Sequence, residues 1–340
     1  MSTLESNPVL SVKDLKVSFF TYAGEVQAVR GVSFDLNRGE TLGIVGESGC
    51  GKSVTVQTIM KLNPSPPAAI KSGQILLDGQ DIVPMSDKEM QKIRGAEVSM
   101  IFQDPMTCLN PTMSVGKQVG ESLVLHQGVN KREAFRKAVE LLDLVKIPNP
   151  GVRAKQYPHQ FSGGMRQRAM IAMALACNPK LLIADEPTTA LDVTIQAQIL
   201  DLMRDLKHQT NNATILITHD LGIVASMSDR IAVMYAGHII EMGSAEKVFY
   251  NPQHPYTWGL LDSRPRVDHP RTRKLDPIEG MPPDLIQPPK GCAFADRCKH
   301  SMKICHDLMP ADTAVEDDHQ VRCWLQHKMA PKVTRGERRS

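Results

Sequence analysis

The stretch Gly46-Glu-Ser-Gly-Cys-Gly51-Lys52-Ser53 matches the pattern G-x-x-x-x-G-K-S/T, in which a glycine-rich loop surrounds nucleotide phosphates. The apolar run Thr41-Leu-Gly-Ile-Val45 precedes it and predicts a buried strand, and a helix is predicted over residues 54–62. A strand, a glycine loop and a helix in this order point several backbone N–H groups at one place. A glycine-rich turn with an incidental lysine would not need this order. The sequence therefore predicts a nucleoside triphosphate site.

Two side chains of this loop have specific predicted roles. Lys52 can neutralise the outer phosphates, and the Ser53 hydroxyl can ligate Mg²⁺. The predicted nucleotide-binding residues of the loop are Gly46, Glu47, Ser48, Gly49, Cys50, Gly51, Lys52, Ser53 and Val54.

A second candidate element is Leu181-Leu-Ile-Ala-Asp185-Glu186, an apolar strand that ends in two carboxylates. Neighbouring side chains on a strand point to opposite faces, so the two acids can have different roles. We assign Asp185 to the Mg²⁺ site and Glu186 to the general base that activates the attacking water. An isolated Asp-Glu pair would favour a solvated strand end, but downstream of a phosphate loop the catalytic interpretation is preferred.

A third element, Ser162-Gly163-Gly164, precedes a predicted helix over residues 165–176. Free N–H groups at a helix N-terminus form a second place for an anion. A capped helix with a glycine hinge explains this tripeptide alone equally well. It does not explain why the tripeptide lies between a phosphate loop and a carboxylate-ended strand.

Composition excludes several classes of function. The net charge of the 340 residues is only +3 and aromatic residues make up 4%, which argues against nucleic-acid binding. The N-terminus lacks a signal-peptide pattern, and the longest apolar stretch, residues 169–177, is too short to span a bilayer. We expect a soluble intracellular protein that could dock on a membrane protein, with its seven cysteines reduced or bound to metal.

Alternating strand and helix patterns predict an α/β core with a mostly parallel sheet. Strands are expected at residues 9–12, 15–20, 31–36, 75–77 and 214–218, helices at 85–94, 131–144 and 193–207, and a hairpin at 231–241. From about Ser263 the composition shifts to Pro, Arg and Cys, which marks a separate C-terminal module, and the tail over 331–340 is expected to be disordered.

The order of these motifs resembles that of ATP-binding-cassette ATPases. The resemblance rests on the phosphate loop, Gln103-Asp104, the signature at residues 161–167, the acidic strand, Ala190-Leu191-Asp192 and His219. It implies a cassette domain over residues 8–262 with a RecA-like, mostly parallel sheet core, an antiparallel β subdomain and a helical signature subdomain at about 104–178.

The resemblance also implies roles that the residues alone do not establish. Two cassettes would close head to tail, with each ATP between the phosphate loop of one chain and Ser162, Gly163 and Gly164 of the other. Gln103 would ligate Mg²⁺, His219 would contact the γ-phosphate, and Asp192 would lie at the dimer interface. An aromatic residue would stack on adenine, with Tyr22 and Phe20 both candidates.

Two positions depart from the common family pattern. The signature starts with Phe161 and has Met165 where Gln is usual, and Cys50 replaces a more frequent Ser. The Ser-Gly-Gly unit is kept, so we expect ATP contact to survive. Cys50 is interpreted as a small loop residue in preference to a redox-active thiol.

Four of the cysteines, Cys292, Cys298, Cys305 and Cys323, fall close together near the C-terminus. No pair has the C-x2–4-C spacing of zinc knuckles, and four buried thiols, a zinc site and an iron–sulfur cluster all stay open. This tail, over 263–330, resembles that of dipeptide and oligopeptide importer ATP-binding subunits. That resemblance implies a 4Fe–4S cluster on these four cysteines.

The predicted function is therefore ATP hydrolysis that drives peptide import. The implied partners are a second, paralogous cassette subunit, two transmembrane permease subunits and an extracytoplasmic peptide-binding protein, with no nucleic acid. The implied location is the cytoplasmic face of the inner membrane, as a peripheral subunit. The alternatives are a soluble cassette ATPase outside transport, an importer of another solute such as nickel, and a P-loop kinase or GTPase of another class.

Overall fold

The computed structural model describes residues 7–189, 192–263 and 277–335. Ala190 and Leu191 of the predicted interface motif, residues 264–276 of the predicted module and residues 336–340 of the predicted tail lie outside the described residues.

The strands of the described chain alternate with helices, as the sequence pattern predicts. The strands are β1 (Leu10–Thr21), β2 (Gly24–Leu36), β3 (Thr41–Val45), β4 (Ala68–Leu77), β5 (Gln80–Asp81), β6 (Val98–Ile101), β7 (Leu181–Asp185), β8 (Ala213–Ile217), β9 (Arg230–Tyr235), β10 (His238–Ser244), β11 (Thr313–Glu316) and β12 (His319–Val321).

Most helices lie between β3 and β8 in the chain. The helices are α1 (Lys52–Ile59), α2 (Asp87–Ile93), α3 (Pro105–Cys108), α4 (Val115–Gln127), α5 (Lys131–Leu144), α6 (Pro150–Arg153), α7 (Gly163–Leu175), α8 (Val193–Thr210), α9 (Leu221–Met227), α10 (Ala245–Tyr250), α11 (Pro255–Asp262) and α12 (Lys303–Asp307), with short 3-10 turns at Pro158–Gln160, Ala295–Arg297 and Trp324–Gln326.

The chain forms two compact units. Of the described residues, the first unit comprises 7–11, 35–41, 76–189 and 192–217. Its three parallel strands lie in the order β8-β7-β6, with Leu181 opposite both Val98 and Ala213. All residues of these strands are buried, as expected for a parallel sheet covered on both faces.

The helices of the first unit form a packed group. Helix α4 packs on α5 and α7, and α5 also packs on α7. Helix α5 begins where the Asn130 side chain caps it, and its apolar residues Ala134, Ala138 and Leu142 are buried at helical spacing. Gly116 and Gly120 let α4 approach its neighbours, because an added Cβ would lie 2.8 Å from the Ala154 oxygen and 3.1 Å from the Ala134 oxygen, respectively.

The second unit comprises the described residues 12–34, 42–75, 218–263 and 277–335. Its strands lie in the order β11-β12-β10-β9-β3, of which β3 and β9 are parallel and the others pair antiparallel. The C-terminal strand β12 therefore extends the same sheet as β3, the strand that leads into the phosphate loop. Strands β2, β1 and β4 are neighbours in that order in a second sheet.

Several predicted elements are confirmed with small changes in their bounds. The helix predicted at 131–144 has the predicted ends, and the predicted hairpin is β9 and β10 paired across Ala236 and Gly237. The elements not predicted are strands β5, β6, β11 and β12 and helices α3, α4, α6, α9, α10, α11 and α12. The two strands predicted at 9–12 and 15–20 form the single strand β1. Within the described ranges, no helix combines the length and apolar character needed to cross a membrane.

Candidate nucleotide-binding and hydrolysis site

The glycines of the phosphate loop hold a backbone shape that other residues would not adopt. Gly51 has φ 101° and caps α1, and a Cβ added to it would lie 2.4 Å from the carbonyl oxygen of Ala28. Gly46 has φ 156°, and its added Cβ would lie 2.2 Å from the carbonyl oxygen of Met234. The loop is therefore confined by β2 and β9, and only glycine fits at both positions.

Lys52 lies at the first position of α1, with its side chain buried against the loop. Its Nζ donates to the carbonyl oxygens of Gly46 at 2.7 Å and Glu47 at 2.9 Å. The Cys50 thiol lies 3.8 Å from the same Nζ and is buried, and burial raises the pKa of Cys50 despite the opposing effect of Lys52. A protonated thiol inside the loop supports a packing role for Cys50.

Glu47 connects the loop to two residues far away in sequence. Its backbone N–H donates to the Tyr256 hydroxyl at 2.8 Å. Its carboxylate accepts two hydrogen bonds from Arg297, from Nη1 at 2.7 Å and from Nη2 at 3.0 Å. The phosphate loop thus has a fixed partner in the C-terminal part of the chain.

In the first unit, the acidic strand ends as predicted, with Asp185 buried and Glu186 immediately after β7. Glu186 has φ 46°, an uncommon conformation for a residue other than glycine. Its Oε2 accepts hydrogen bonds from Gln103 Nε2 at 3.0 Å and Thr189 Oγ1 at 2.9 Å. The structure therefore brings together two of the predicted catalytic residues, Glu186 and Gln103, and holds one oxygen of the Glu186 carboxylate with two donors.

The signature residues stand at a helix N-terminus, as predicted. Ser162 caps α7, and its Oγ accepts from the Met165 N–H at 3.3 Å. An added Cβ at Gly164 would lie 2.8 Å from Ile195, so α8 limits this position to a small residue. Gln167, one turn further along α7, donates to the Pro187 carbonyl oxygen at 2.6 Å and links the signature helix to the segment after Glu186.

The other predicted site residues are placed as follows. Asp192 is exposed and caps α8 through the Ile195 N–H at 2.9 Å. His219 is an exposed residue just before the helix-capping residue Asp220. Tyr22 is fully exposed in the β1–β2 turn, whereas Phe20 is half exposed with Lys71 Nζ 5.0 Å from its ring centre. Their roles toward nucleotide or partner stay predictions.

The residues assigned to Mg²⁺ have suitable donor atoms. Ser53 offers a hydroxyl oxygen, Gln103 an amide oxygen and Asp185 a carboxylate, and oxygen donors of this kind are what Mg²⁺ prefers. Gln103 and Asp185 belong to the first unit and Ser53 to the second. The chemistry of this donor set fits the ion, and the shared role of the three residues stays a prediction.

The four C-terminal cysteines are free thiols, of which Cys305 is buried and Cys292, Cys298 and Cys323 are partly buried. Cys292 and Cys298 pack on the core formed by strands β9 and β10, helix α11 and Phe294. Burial raises the pKa of Cys292 to about 11 and that of Cys323 to about 12. Cys298, Cys305 and Cys292 lie within electrostatic range of Cys323 and raise its pKa further.

These thiols do not support the predicted 4Fe–4S cluster. Among residues 7–189, 192–263 and 277–335, no three His, Cys, Asp or Glu side chains are arranged to hold a metal ion. Neither the cluster nor zinc therefore enters the function derived below.

Three residues that contact the predicted site were missed in the sequence. Thr189 lies three residues after Glu186, beside the Ala190-Leu191-Asp192 motif. A hydroxyl so close in sequence could have been predicted to contact the Glu186 carboxylate. Tyr256 and Arg297 lie about two hundred or more positions from Glu47, and no local pattern predicts a contact at that separation.

Comparisons with known protein families match the order of these elements. The profile of the family described as ABC transporter matches residues 29–189. A second profile, described as oligopeptide/dipeptide transporter, C-terminal region, matches residues 240–305. The second match begins within the predicted cassette and ends before Cys323, so the predicted bounds 8–262 and 263–330 stay a prediction.

Two curated relatives and a solved structure extend the comparison. The chain is 61% identical to the oligopeptide transport ATP-binding protein OppD of Bacillus subtilis (strain 168), over 96% of this chain and 91% of that protein. It is 59% identical to the dipeptide transport ATP-binding protein DppD of the same organism, over 95% and 96% of the two chains. The dimeric ATP-binding cassette MJ0796 bound to ADP and phosphate superposes with a TM-score of 0.62 and 26% identity, covering 69% of this chain and 98% of that one.

The predicted cassette fold and the predicted family are thereby confirmed. The P-loop, the acidic strand and the signature helix occur in a chain with close relatives along nearly its whole length. The chain belongs to the ABC transporter family of ATP-hydrolysing cassettes, in the branch of the oligopeptide and dipeptide transporter ATP-binding proteins.

Proposed function

We propose that this chain is the ATP-hydrolysing subunit of a membrane importer of oligopeptides or dipeptides. One observation carries the proposal: the similarity to two ATP-binding proteins named for peptide transport covers 96% and 95% of this chain. It therefore includes the nucleotide motifs and the C-terminal module. The proposed domains are the cassette over residues 8–262 and the module over 263–330.

In the proposed site, the loop at residues 46–54 binds the phosphates of ATP. Its backbone N–H groups and Lys52 would offset the phosphate charge, and Ser53, Gln103 and Asp185 are the residues that would hold Mg²⁺. The metal offsets charge on the β- and γ-phosphates when bound. Tyr22 or Phe20 stacks on the adenine.

Glu186 is the proposed general base for the attacking water. The hydrogen bonds from Gln103 and Thr189 hold its carboxylate in one orientation, which a base acting on a single water molecule needs. His219 is proposed to contact the γ-phosphate from a position just before α9.

The proposed active form is a head-to-tail pair of cassettes. Ser162, Gly163 and Gly164 of one chain would meet the ATP held by the phosphate loop of the other, because the N-terminus of α7 favours an anion. Asp192 would lie at the interface. ATP binding would then hold the pair together, and hydrolysis would release it.

The proposed assembly includes a paralogous second cassette, two permease subunits and an extracytoplasmic peptide-binding protein. The subunit would lie on the cytoplasmic face of the inner membrane as a peripheral protein. The alternatives of a soluble ATPase outside transport and of nickel import are not favoured, because the relatives are named for peptide transport.

The test is affinity isolation of this chain from membranes, followed by reconstitution of the isolated complex into vesicles. We expect two polytopic subunits to copurify. The vesicles should transport labelled peptides when ATP is supplied on the side of the membrane that carries the ATPase subunits. The matched control is the same complex with Lys52→Ala, which should assemble without transporting. Isolation with only soluble partners, or uptake of nickel in place of peptides, would contradict the proposal.

A further inference from the structure

The phosphate loop carries a carboxylate that phosphate binding does not require. Glu47 stands directly after Gly46 in the loop. A free carboxylate at this position would repel a bound triphosphate, because both carry negative charge. Its charge therefore needs a local partner.

Arg297 of the C-terminal module is that partner. Its guanidinium holds both carboxylate oxygens of Glu47, at 2.7 Å and 3.0 Å, and its side chain is only 6% exposed. A two-pronged pair of this kind is stronger and more directional than a single charged contact. The carboxylate is therefore both neutralised and fixed in position.

Arg297 is itself held on several sides, so it provides a fixed anchor. Its Nε donates to the Glu279 carbonyl oxygen at 2.9 Å and its Nη2 to that of Ile278 at 3.2 Å. Its Nη1 also donates to the Tyr235 hydroxyl at 3.1 Å. The guanidinium centre lies 5.8 Å and 5.9 Å from the ring centres of Tyr235 and Phe294.

Glu47 also contacts Lys52, the lysine of the loop, through its backbone. The Glu47 carbonyl oxygen accepts from Lys52 Nζ at 2.9 Å, while the Glu47 N–H donates to Tyr256. Tyr256 packs against Tyr235 and Phe294, which belong to the core that includes the module. Arg297 of the module thus fixes the side chain of Glu47, and Tyr256 of α11 fixes the backbone of this residue, on which Lys52 rests.

We propose that Arg297 is a positioning residue of the nucleotide site, supplied by the C-terminal module, and that it sets ATP affinity by neutralising and orienting Glu47. The inference rests on the proposed nucleotide site. Arg297 immediately precedes Cys298, so it belongs to the four-cysteine module. The module thereby gains a role in ATP binding that rests on the Arg297 side chain and requires no metal.

The test measures ATP affinity of the full chain by titration with a fluorescent ATP analogue, in the Glu186→Gln background so that binding is separated from hydrolysis. We expect Arg297→Gln to weaken binding about tenfold, the size of one charge-assisted interaction. In the assembled complex with the native Glu186, the same change should raise KM while kcat stays within about twofold of its original value.

A second substitution separates this role from general support of the fold. Glu47→Gln added to Arg297→Gln removes the uncompensated carboxylate, so the double variant should recover affinity to within about threefold of the starting protein. Arg297→Lys keeps the charge without the fork and should weaken binding about threefold, which provides a variant that folds if Arg297→Gln does not. Unchanged affinity in whichever variant folds, or no recovery in the double variant, would overturn the inference.

The matched control is Arg335→Lys, since Arg335 makes an exposed pair with Asp262 through Nε at 3.2 Å and Nη2 at 2.6 Å. It should leave ATP affinity within about twofold, because exposed pairs contribute little. Lys52→Ala tests the underlying site: full ATP affinity in that variant would reject the proposed nucleotide site itself. Loss of binding in Lys52→Ala with none in Arg297→Gln would reject only the role of Arg297.

Discussion

The phosphate loop and the four-cysteine module both belong to the second unit, but they depend on their residues in different ways. In the loop, backbone geometry excludes every residue but glycine at Gly46 and Gly51, since an added Cβ would meet carbonyl oxygens. In the module, Cys292 and Cys323 are partly buried thiols with raised pKa values, and they pack much as small apolar residues do. A sequence motif therefore predicts a site well when the backbone geometry allows only one residue type at each position. It predicts a site less well when the same residues suit several roles, as cysteines suit both packing and metal binding.

The largest effect that separates the two regions is expected for Gly51→Ala. Residue 51 would combine φ 101° with a Cβ 2.4 Å from the Ala28 oxygen, so ATP affinity should fall at least about a hundredfold. Titration with the fluorescent ATP analogue measures it.

Gly49→Ala is the matched control for this change. Residue 49 also has a positive φ, 78°, but nothing lies within 4 Å of an added Cβ, so only backbone strain remains. We expect a loss of about tenfold. Equal losses in the two variants would show that the space around the loop does not matter.

A rate effect is also expected for the reactivity of the cysteines. Because burial raises the pKa of Cys292 to about 11 and that of Cys323 to about 12, few thiolates are present at pH 8. Their alkylation by iodoacetamide should be at least about a hundredfold slower than that of an unfolded peptide thiol. Mass spectrometry of the labelled cysteines over time, with the denatured chain as control, measures the rates.

The same preparation, made without oxygen, distinguishes thiols from a metal site. Iron and sulfide, or zinc, at one site per chain would contradict the assignment of protonated thiols, because bound metal requires thiolates. Cys298→Ser provides the comparison, since a metal dependent on this residue would be lost in that variant.

The smallest expected effect is a pH dependence from two buried histidines. Burial lowers the pKa of His254 to about 4 and that of His238 to about 3, the latter with help from Arg30, Arg322 and Lys16. The unfolded chain binds these protons more tightly, so stability is present above pH 6.5 and decreases as pH falls toward 4. Each histidine should remove about 1.4 kcal/mol of unfolding free energy per pH unit in this range.

Denaturant unfolding at several pH values between 7.5 and 5 checks this dependence. His238→Gln should reduce the slope of unfolding free energy against pH by about 1.4 kcal/mol per pH unit, the contribution of one histidine. A slope that is unchanged in this variant would mean that His238 does not contribute.

The comparison of the two regions also explains which parts were predictable. Strand β3, the phosphate loop and α1 follow from local residues, and α5 follows from its cap at Asn130 and its helical spacing. Helix α4 was missed because Gly116 and Gly120 interrupt its apolar pattern, although both glycines serve close helix packing. Here the tertiary contact determines the residue, and a sequence window does not contain it.

Long-range contacts limited the site prediction in the same way. The Gln103–Glu186 hydrogen bond joins two residues that their motifs already marked. The Glu47–Arg297 pair joins a predicted nucleotide-binding residue to an arginine that lies beside Cys298. The cysteines suggested a metal site and not a contact with the phosphate loop. Only the fold reveals that the arginine beside Cys298 faces the nucleotide loop.

The most direct test of the account is single-turnover ATP hydrolysis by the reconstituted complex with Glu186→Gln. The account predicts that ATP still binds within a few-fold of its original affinity, while hydrolysis slows by about 10²–10⁴-fold and peptide uptake stops, because the oriented base is lost. Hydrolysis at a rate close to that of the unaltered complex would contradict the assignment of Glu186 and, with it, the proposed mechanism.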